Sequence, residues 1–575
     1  MKKHVRIFLH LLISICFLGC SNTQKILEET SFSGKSALAR NGMVVSAHPL
    51  ATQVGYETIK SGGNAIDAMV AVHFALAVVY PSAGNLGGGG FMIYRENDGE
   101  VYSLDFREIA SENAYEDMYL DDEGEVIEGE SLYGQKASGV PGSVDGMLEA
   151  HARFGSLPLS VLLEPAIKLA DKGFSVTSKQ ADNYNRYRED FIKNNRNPET
   201  VTLIKEKEWK KGDLLIQKDL AKTLERIRDQ GRAGFYEGKT AELLVAEMQA
   251  GNGIITLQDL KNYHSVWRAP VTGSYRGYTV HSMAPSSSGG IALIQLLKMS
   301  EHFPIGEYGS KSAKTIHLMT EMERRVYADR ARHLGDSDFW EVPVDELLDD
   351  DYIAGRVQEI DVAEATNSDD VSAMELDDIV ESEETTHYSI IDKQGNAVSL
   401  TTTINSAYGS KVFVEGAGFL LNNEMDDFSS KPGVPNIYGL LGGAANSIQP
   451  GKRMLSAMTP TIVEKEGDLF MVLGTPGGST IITSVYQTIL NVIDHGMNMT
   501  DAVNEKRFHH QWKPDQIYME DDAIQEAVIT KLKMMGHTVK RRGSIGKVDA
   551  ILVRPDGSYE GAADPRGDDW AIGIK

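Results

Sequence analysis

Thr385 is where the sequence offers chemistry most directly. It follows residues 367–384, eighteen positions with eight acidic residues and no basic one. Such a stretch repels itself, stays solvated and extends easily. Strand-like sequence resumes at Thr385 itself. A threonine hydroxyl inside a chain is a weak nucleophile. If the Glu384–Thr385 peptide bond is cut, an α-amino group with an unperturbed pKa of about 8 lies within reach of that hydroxyl. That amine takes the hydroxyl proton near neutral pH without a histidine. The chemistry needs a pliable segment before the threonine and a rigid strand after it, and the sequence supplies both. Two threonines opening a strand are also ordinary strand chemistry. The residues alone leave both readings open.

The elements that must hold Thr385 are legible around it. TTHYSIID (385–392), KQGN (393–396) and AVSLTTTIN (397–405) read as strand, turn and strand. With Gln394-Gly395 as the loop, position 385 pairs near 404; a loop one residue longer moves the partner to 405. Either register brings Thr403 and Asn405 beside Thr385. Further upstream, Asn41 to Pro49 reads as a strand and turn, and Leu50 to Ile59 as a helix ending at Ser61-Gly62-Gly63. Asn64 caps a second, buried helix, Ala65 to Tyr80. The glycine run Gly84 to Gly90 lacks the Gly-Lys-Ser/Thr of a phosphate loop, so close backbone packing before the strand Phe91–Tyr94 is the better reading. Val101 to Arg107 alternates as a strand, and Tyr115 to Leu348 is mostly helical. Pro285-Ser286-Ser287-Ser288-Gly289-Gly290 opens a helix. Without Gly-x-Ser-x-Gly its serines are expected to cap rather than attack.

Composition narrows the field. The 575 residues carry 57 Lys plus Arg against 82 Asp plus Glu, a formal charge of -25. That surface repels phosphate backbones, so nucleic acid is not an expected partner. Cys16 and Cys20 are the only cysteines. A disulfide scaffold, a thiolate metal site and a cysteine nucleophile are thereby excluded from the folded body. Lys2, Lys3 and Arg6 precede the apolar run Ile7–Leu18, the layout of a signal peptide. Phe17-Leu18-Gly19-Cys20 is similar to a bacterial lipobox, which implies a lipoprotein signal over 1–19 and lipid on Cys20. An ordinary secretory signal is the alternative. Residues 20–36 read as a polar tether, with the body held to a membrane only by the anchor. His509-His510, being adjacent, point different ways on a regular element and make a poor metal pair. Arg566-Gly567-Asp568 matches an adhesion tripeptide that recurs by chance.

Several longer motifs occur in one order: SGGNAIDAMVA (61–71), GNLGGGGFM (84–92), LDFRE (104–108), YADR (327–330), ETTHYS (384–389), LNNEMDDF (421–428), PGVPNIYGLLGG (432–443), GTPGGS (474–479) and RFHHQW (507–512). With them the chain, from about Gly42 to Lys575, resembles bacterial γ-glutamyltransferase (γ-glutamyltranspeptidase), an N-terminal nucleophile hydrolase. The resemblance implies a mixed α/β fold, a four-layer α-β-β-α sandwich built from both halves of a self-cleaved precursor. Cleavage before Thr385 would give a large subunit over 37–384, after signal and tether, and a small catalytic subunit over 385–575. Thr385 would then be nucleophile for cleavage and turnover, with Thr403 hydrogen-bonded to it. Gly477 and Gly478 would offer backbone N–H groups to the oxyanion. Their plain alternative is a turn.

The same resemblance implies a site for the free α-amino acid end of a γ-glutamyl group. Asn405, Glu424 and Asp427 would cradle the ammonium. Arg107 and Ser456 would clamp the carboxylate, which an arginine fork matches. Tyr438, in the lid-like stretch 432–443, would cover the bound group. Singly, Arg107 reads as a surface charge, Asp426-Asp427 as a turn cap and Tyr438 as a packed loop residue. Two departures stand out. Ala457 replaces a second serine common in the family, and Glu424 stands where some members have Gln. The implied donors are glutathione and other γ-glutamyl compounds, the acceptors water, amino acids or peptides, and no cofactor is needed. The implied location is the bacterial cell envelope, facing the periplasm. Rival readings are an acylase for glutaryl-cephalosporin or poly-γ-glutamate, and a lipid-anchored binding protein that has lost catalysis.

Overall fold

The computed structural model describes residues 33–371 and 385–575. Cys20 and Glu384, and with them the signal, the lipid site and one side of the expected cleavage site, lie outside the described residues. Two antiparallel sheets dominate. The first has eight strands in the order Ser33–Gly34, Trp570–Gly573, Met43–Ser46, Thr386–Ile391, Ala397–Thr403, Gly89–Arg95, Val101–Asp105 and Val266–Arg268. The second has seven, in the order Ser36–Ala39, Tyr559–Ala563, Asp549–Val553, Asp468–Gly474, Thr461–Lys465, Tyr278–Ser282 and Val271–Tyr275. Both sheets contain strands from before and after position 385, and in each sheet late strands lie between early ones.

Strand periodicity of two assigns the layers. Val44, Met92, Tyr94, Tyr388 and Ile390 point to a core shared with the helices Pro49–Lys60 and Ala65–Val79. Their neighbours Met43, Val45, Phe91, Ile93 and Ile391 point the other way, against Ile462, Val472 and Ile551 of the second sheet. The outer face of that sheet, with Val463, Met471, Leu473 and Ala550, packs on the helices Gly289–Glu301, Ala313–His333 and Thr480–Ile493. The result is the four-layer α-β-β-α sandwich expected from the resemblance.

Local signals explain how the strand after Thr385 is held. Asn64 and Asp67 form a reciprocal capping box on the buried helix Ala65–Val79. The Asp392 carboxylate accepts from the Ala65 backbone N–H at 2.9 Å, so the hairpin turn is tied to that helix end. The register differs from expectation by one: Thr386 pairs with Thr402, which sets Thr385 level with Thr403. The loop is three residues, Lys393-Gln394-Gly395. Asp392 N–H donates to the Asn396 carbonyl at 3.0 Å, and Gly395 takes the left-handed φ of 91° that a three-residue hairpin requires. The glycine run packs as anticipated. A Cβ on Gly88 would lie 2.0 Å from the Thr403 carbonyl oxygen, so only glycine permits the approach.

Two further expectations are corrected. The tether does not extend to residue 36: Ser33–Gly34 and Ser36–Ala39 are edge strands paired with Trp570–Gly573 and Tyr559–Ala563. Lys35 between them donates to the backbone carbonyls of Asp564, Gly567 and Asp569, which a small polar composition does not disclose. The serines at 286–288 cap their helix only in part: Ser287 Oγ accepts from the backbone N–H of Gly289, the first helical residue, at 3.1 Å. Ser287 also donates to the Met458 carbonyl and Ser288 to the Ser456 carbonyl, each at 2.6 Å, so they clamp residues 456–458 as well.

Candidate active site

The hairpin end opens on a small cavity lined by Thr385, Thr403, Asn405, Arg107, Glu424, Asp427, Tyr438, Ser456 and Gly478. These are nine of the ten catalytic and substrate-binding residues expected from the sequence. The tenth, Gly477, is the chain neighbour of Gly478, and a Cβ on it would meet the Thr480 hydroxyl at 2.5 Å. The Thr385 hydroxyl donates to the Thr403 hydroxyl over 3.4 Å. Thr403 is itself fixed, because its oxygen accepts from the Asn405 backbone N–H at 2.7 Å. Asn405 adopts a left-handed φ of 71° and donates its side-chain amide to the Asn423 carbonyl at 2.9 Å. Gly478, with φ of 54°, precedes the fourteen-residue helix Thr480–Ile493, whose N-terminal end favours negative charge. Any side chain at 478 would collide with the Tyr438 ring, 2.4 Å from where its Cβ would sit.

The far end of the cavity is dense with charge. Arg107, fully buried, reaches Glu424 through Nη1 at 2.6 Å and Asp427 through Nη2 at 2.5 Å. Its Nη1 also lies 3.6 Å from Glu108, and its Nε donates to the Met454 carbonyl at 3.3 Å. The expected carboxylate clamp and ammonium cradle therefore form one cluster rather than two separate subsites. Burial pushes the Glu108 carboxyl up to about 8, with Arg107 opposing. Burial likewise holds Glu424 well above the usual carboxylate range, despite Arg107 and helped by the neighbouring Glu108 and Asp427. Asp427 is raised for the same first reason, against the pull of Arg107.

Asp426 and Asp427 divide their work across one short turn, Glu424–Asp427. Asp427 faces the cavity. Asp426 turns away, accepting from Ser131 at 2.7 Å and from the Ile437 backbone N–H at 2.9 Å. Asn436 donates to Asp427 at 3.1 Å, and Gln511 donates to the Tyr438 carbonyl at 3.0 Å. The 432–443 stretch is thus pinned to the acidic turn, with Tyr438 buried beneath it. Two participants escaped the sequence reading. Arg330 lines the cavity and donates through Nε to Ser288 at 2.9 Å. Burial lowers its pKa to about 10. Glu108 sits directly behind Arg107. Both belong to quoted motifs, YADR and LDFRE, and their presence there was the available signal.

Among the described residues, His317, Glu321 and His537 have ligand atoms close enough for a metal ion. Those atoms are already used: His317 Nδ1 and His537 Nε2 share a hydrogen bond at 2.8 Å, and Glu321 holds Arg324 and Arg325. His509 and His510 point to Thr483 and Asp515 respectively. Arg566 is bound to Glu520, so the adhesion-like tripeptide is part of the fold.

A sequence profile described as gamma-glutamyltranspeptidase matches residues 51–574. The chain belongs to the gamma-glutamyltranspeptidase family. It is 46% identical over 536 residues to the glutathione hydrolase proenzyme of Escherichia coli (strain K12), covering 93% of this chain and 92% of that one. It is 47% identical over 560 residues to the glutathione hydrolase proenzyme of Pseudomonas aeruginosa, covering 95% and 97%. Among solved structures, the cephalosporin acylase from Bacillus halodurans superposes with a TM-score of 0.80 at 25% identity, covering 94% of this chain and 97% of that one. As a gamma-glutamyltranspeptidase, the chain carries the threonine-nucleophile chemistry of its family on the sandwich described above.

Proposed function

We propose that Thr385 is the nucleophile of a self-processing γ-glutamyl hydrolase and transferase whose donors are glutathione and related γ-glutamyl compounds. The observation that carries this reading is the Thr385–Thr403 hydroxyl pair opening on a cavity whose far end joins one arginine to buried carboxyl groups. In self-cleavage the Thr385 oxygen attacks the Glu384 carbonyl carbon. The C–N bond breaks, the hydroxyl proton passes to nitrogen, and an ester remains. Water hydrolyses that ester, leaving a carboxylate on Glu384 and a free α-amino group on Thr385. In turnover that amine takes the Thr385 hydroxyl proton as oxygen attacks the donor γ-carbonyl. Gly478 and Gly477, at a helix N-terminus, offer N–H groups to the tetrahedral oxyanion. The proton is then delivered to the leaving amine, and water or an amino acid or peptide acceptor takes the γ-glutamyl group from Thr385.

Donor recognition follows from charge. A γ-glutamyl end brings one ammonium and one carboxylate. Added to Arg107, Ser456, Asn405, Glu424 and Asp427, it leaves the net charge of the cluster unchanged. A glutaryl end brings a carboxylate alone into a buried site, where uncompensated charge is strongly disfavoured. The test of the whole reading is N-terminal sequencing of the smaller fragment, expected to begin Thr-Thr-His-Tyr. A fully active preparation containing only the unbroken chain would sink it.

One observation favours a second reading, an acylase for other amides: Ala457 lines the cavity where a second serine is common. Rates with γ-glutamyl and glutaryl anilides separate the two, and faster turnover of the glutaryl compound would favour the acylase. For location, residues 1–19 are proposed as a lipoprotein signal and Cys20 as the lipid carrier. The proposed location is a bacterial cell envelope, facing the periplasm, and the lipobox-like end of the apolar run supports this. Cys20→Ser should move the enzyme from the membrane fraction to the soluble one.

A further inference from the structure

A second cavity, of about 220 Å3, shares no residue with the catalytic one. Its walls come from both sides of position 385: residues 80–82 and the helix Ser178–Arg186 on one side, Tyr408, Lys547 and 566–568 on the other. The whole chain has a formal charge of -25, yet this wall sets Lys179, Arg186, Lys547 and Arg566 against only Asp182 and Asp568. Two of the cations are committed within the fold: Lys179 donates to the Arg566 carbonyl, and Arg566 is held by Glu520. Arg186 is exposed at the helix end and has no hydrogen-bond or ion-pair partner among the described residues. The acids count for less. Asp568 accepts from the Thr177 hydroxyl at 2.6 Å, and Asp182 stands in solvent, where water and salt screen it.

The same helix supplies Tyr184, 1% exposed, whose hydroxyl has no hydrogen-bond partner among the described residues. Its ring packs on Trp209 and Tyr408, with centroids 5.5 and 6.2 Å away, so the hydroxyl is held in place. Burial, and then the charge of Asp568 on the same wall, keep the phenol well above its usual pKa, and it stays a neutral O–H donor. A buried hydroxyl without a partner is strongly disfavoured, and folded chains normally supply one. Ser82, also buried on this wall, makes no side-chain hydrogen bond among the described residues either. We infer that this cavity is a binding site for a small anion, a carboxylate or a phosphate. Arg186 and Lys547 supply the opposing charge, and the anion's oxygens accept from Tyr184 and Ser82. Because the walls belong to both fragments expected of the cleaved chain, an occupant ties one to the other and stabilises the pair by mass action.

The test is calorimetric titration of the purified full-length chain with inorganic phosphate and, separately, with D-glycerate. Chloride holds the ionic strength constant, and glycerol is the neutral control. One-to-one binding of either anion, without binding of glycerol, is expected. Phosphate alone would mark the occupant as a phosphate, glycerate alone as a carboxylate. Arg186→Gln should weaken binding roughly two- to fivefold, the range of one exposed ion pair. Tyr184→Phe should weaken it roughly two- to tenfold, the worth of one hydrogen bond. In anion-free buffer Tyr184→Phe should melt no lower than wild type, because the hydroxyl it loses is unpaired; with saturating anion it should gain less than wild type. No binding of either anion beyond chloride, or equal affinity in wild type and both variants, would overturn the inference. So would a Tyr184→Phe chain that melts clearly below wild type without anion, since the hydroxyl would then have its partner inside the fold.

Discussion

The two ends of the catalytic cavity are built on opposite principles. At the Thr385 end two neutral hydroxyls meet over 3.4 Å, and the fixed partner, Thr403, is held by backbone. At the Arg107 end ionic contacts close to 2.5 and 2.6 Å, with the buried guanidinium among the buried Glu108 and Glu424 and the half-buried Asp427. The reacting end is left loosely bonded, so its oxygen is available to a carbonyl carbon. The recognising end is over-determined, so its geometry exists before a donor arrives. On the proposed roles, reactivity and recognition occupy different electrostatic environments within one small space.

Four substitutions break or sharpen this contrast. The largest effect is expected from Thr385→Ala, which removes the only proposed nucleophile. The chain should run as a single band on a denaturing gel and lose at least about 10⁴-fold in γ-glutamyl anilide turnover, since the ester can no longer form. Next comes Arg107→Gln. It leaves Glu424 and Asp427 buried without their cation, a change of roughly 3–5 kcal/mol in other proteins. A drop in melting temperature together with a loss of at least about 100-fold in kcat/KM is expected. An unchanged melting temperature would show that the acids are neutral without the arginine.

Ala457→Ser adds a hydroxyl beside the same end. If the donor carboxylate sits there, KM for γ-glutamyl donors should fall by up to about tenfold, the worth of one hydrogen bond to a charged group, with kcat little changed. The smallest effect concerns Glu108. Its carboxyl, raised by burial to about 8 from an ordinary 4.5, binds its proton more tightly in the folded chain than in the unfolded one. Its contribution to stability is therefore lost as pH rises from the unfolded value through the folded one. Glu108→Gln should lessen the fall in melting temperature between pH 5 and 8, measured against wild type at each pH.

Sequence alone disclosed what is local. The cap at Asn64, the buried helix after it and the existence of a hairpin over 385–405 are all written in neighbouring residues. The hairpin register missed by one because two- and three-residue loops share the residues Gln394-Gly395, and only the positive φ of Gly395 decides between them. Contacts between remote segments were out of reach. Ser287 and Ser288 read as helix caps alone, and nothing local says that Met458 and Ser456, about 170 positions later, take their hydroxyl protons. Arg330 reads as the polar end of a long helix, and nothing near it in sequence says that it faces Asp427. Which residues would share the cavity was legible through the family resemblance. The pairing of Arg107 with Glu424 and Asp427 was not, because residue types alone do not say which charges share a cavity and which face each other across it.

The mixing of early and late strands within each sheet has a further consequence. Thr386–Ile391 is flanked by Met43–Ser46 on one side and, beyond its hairpin partner, by Gly89–Arg95 on the other. Backbone scission ahead of Thr385 therefore opens no seam. The two products remain braided through the same sheets, and parting them means unravelling the molecule. Dilution should not separate them, and chaotrope should release both only when the whole body melts.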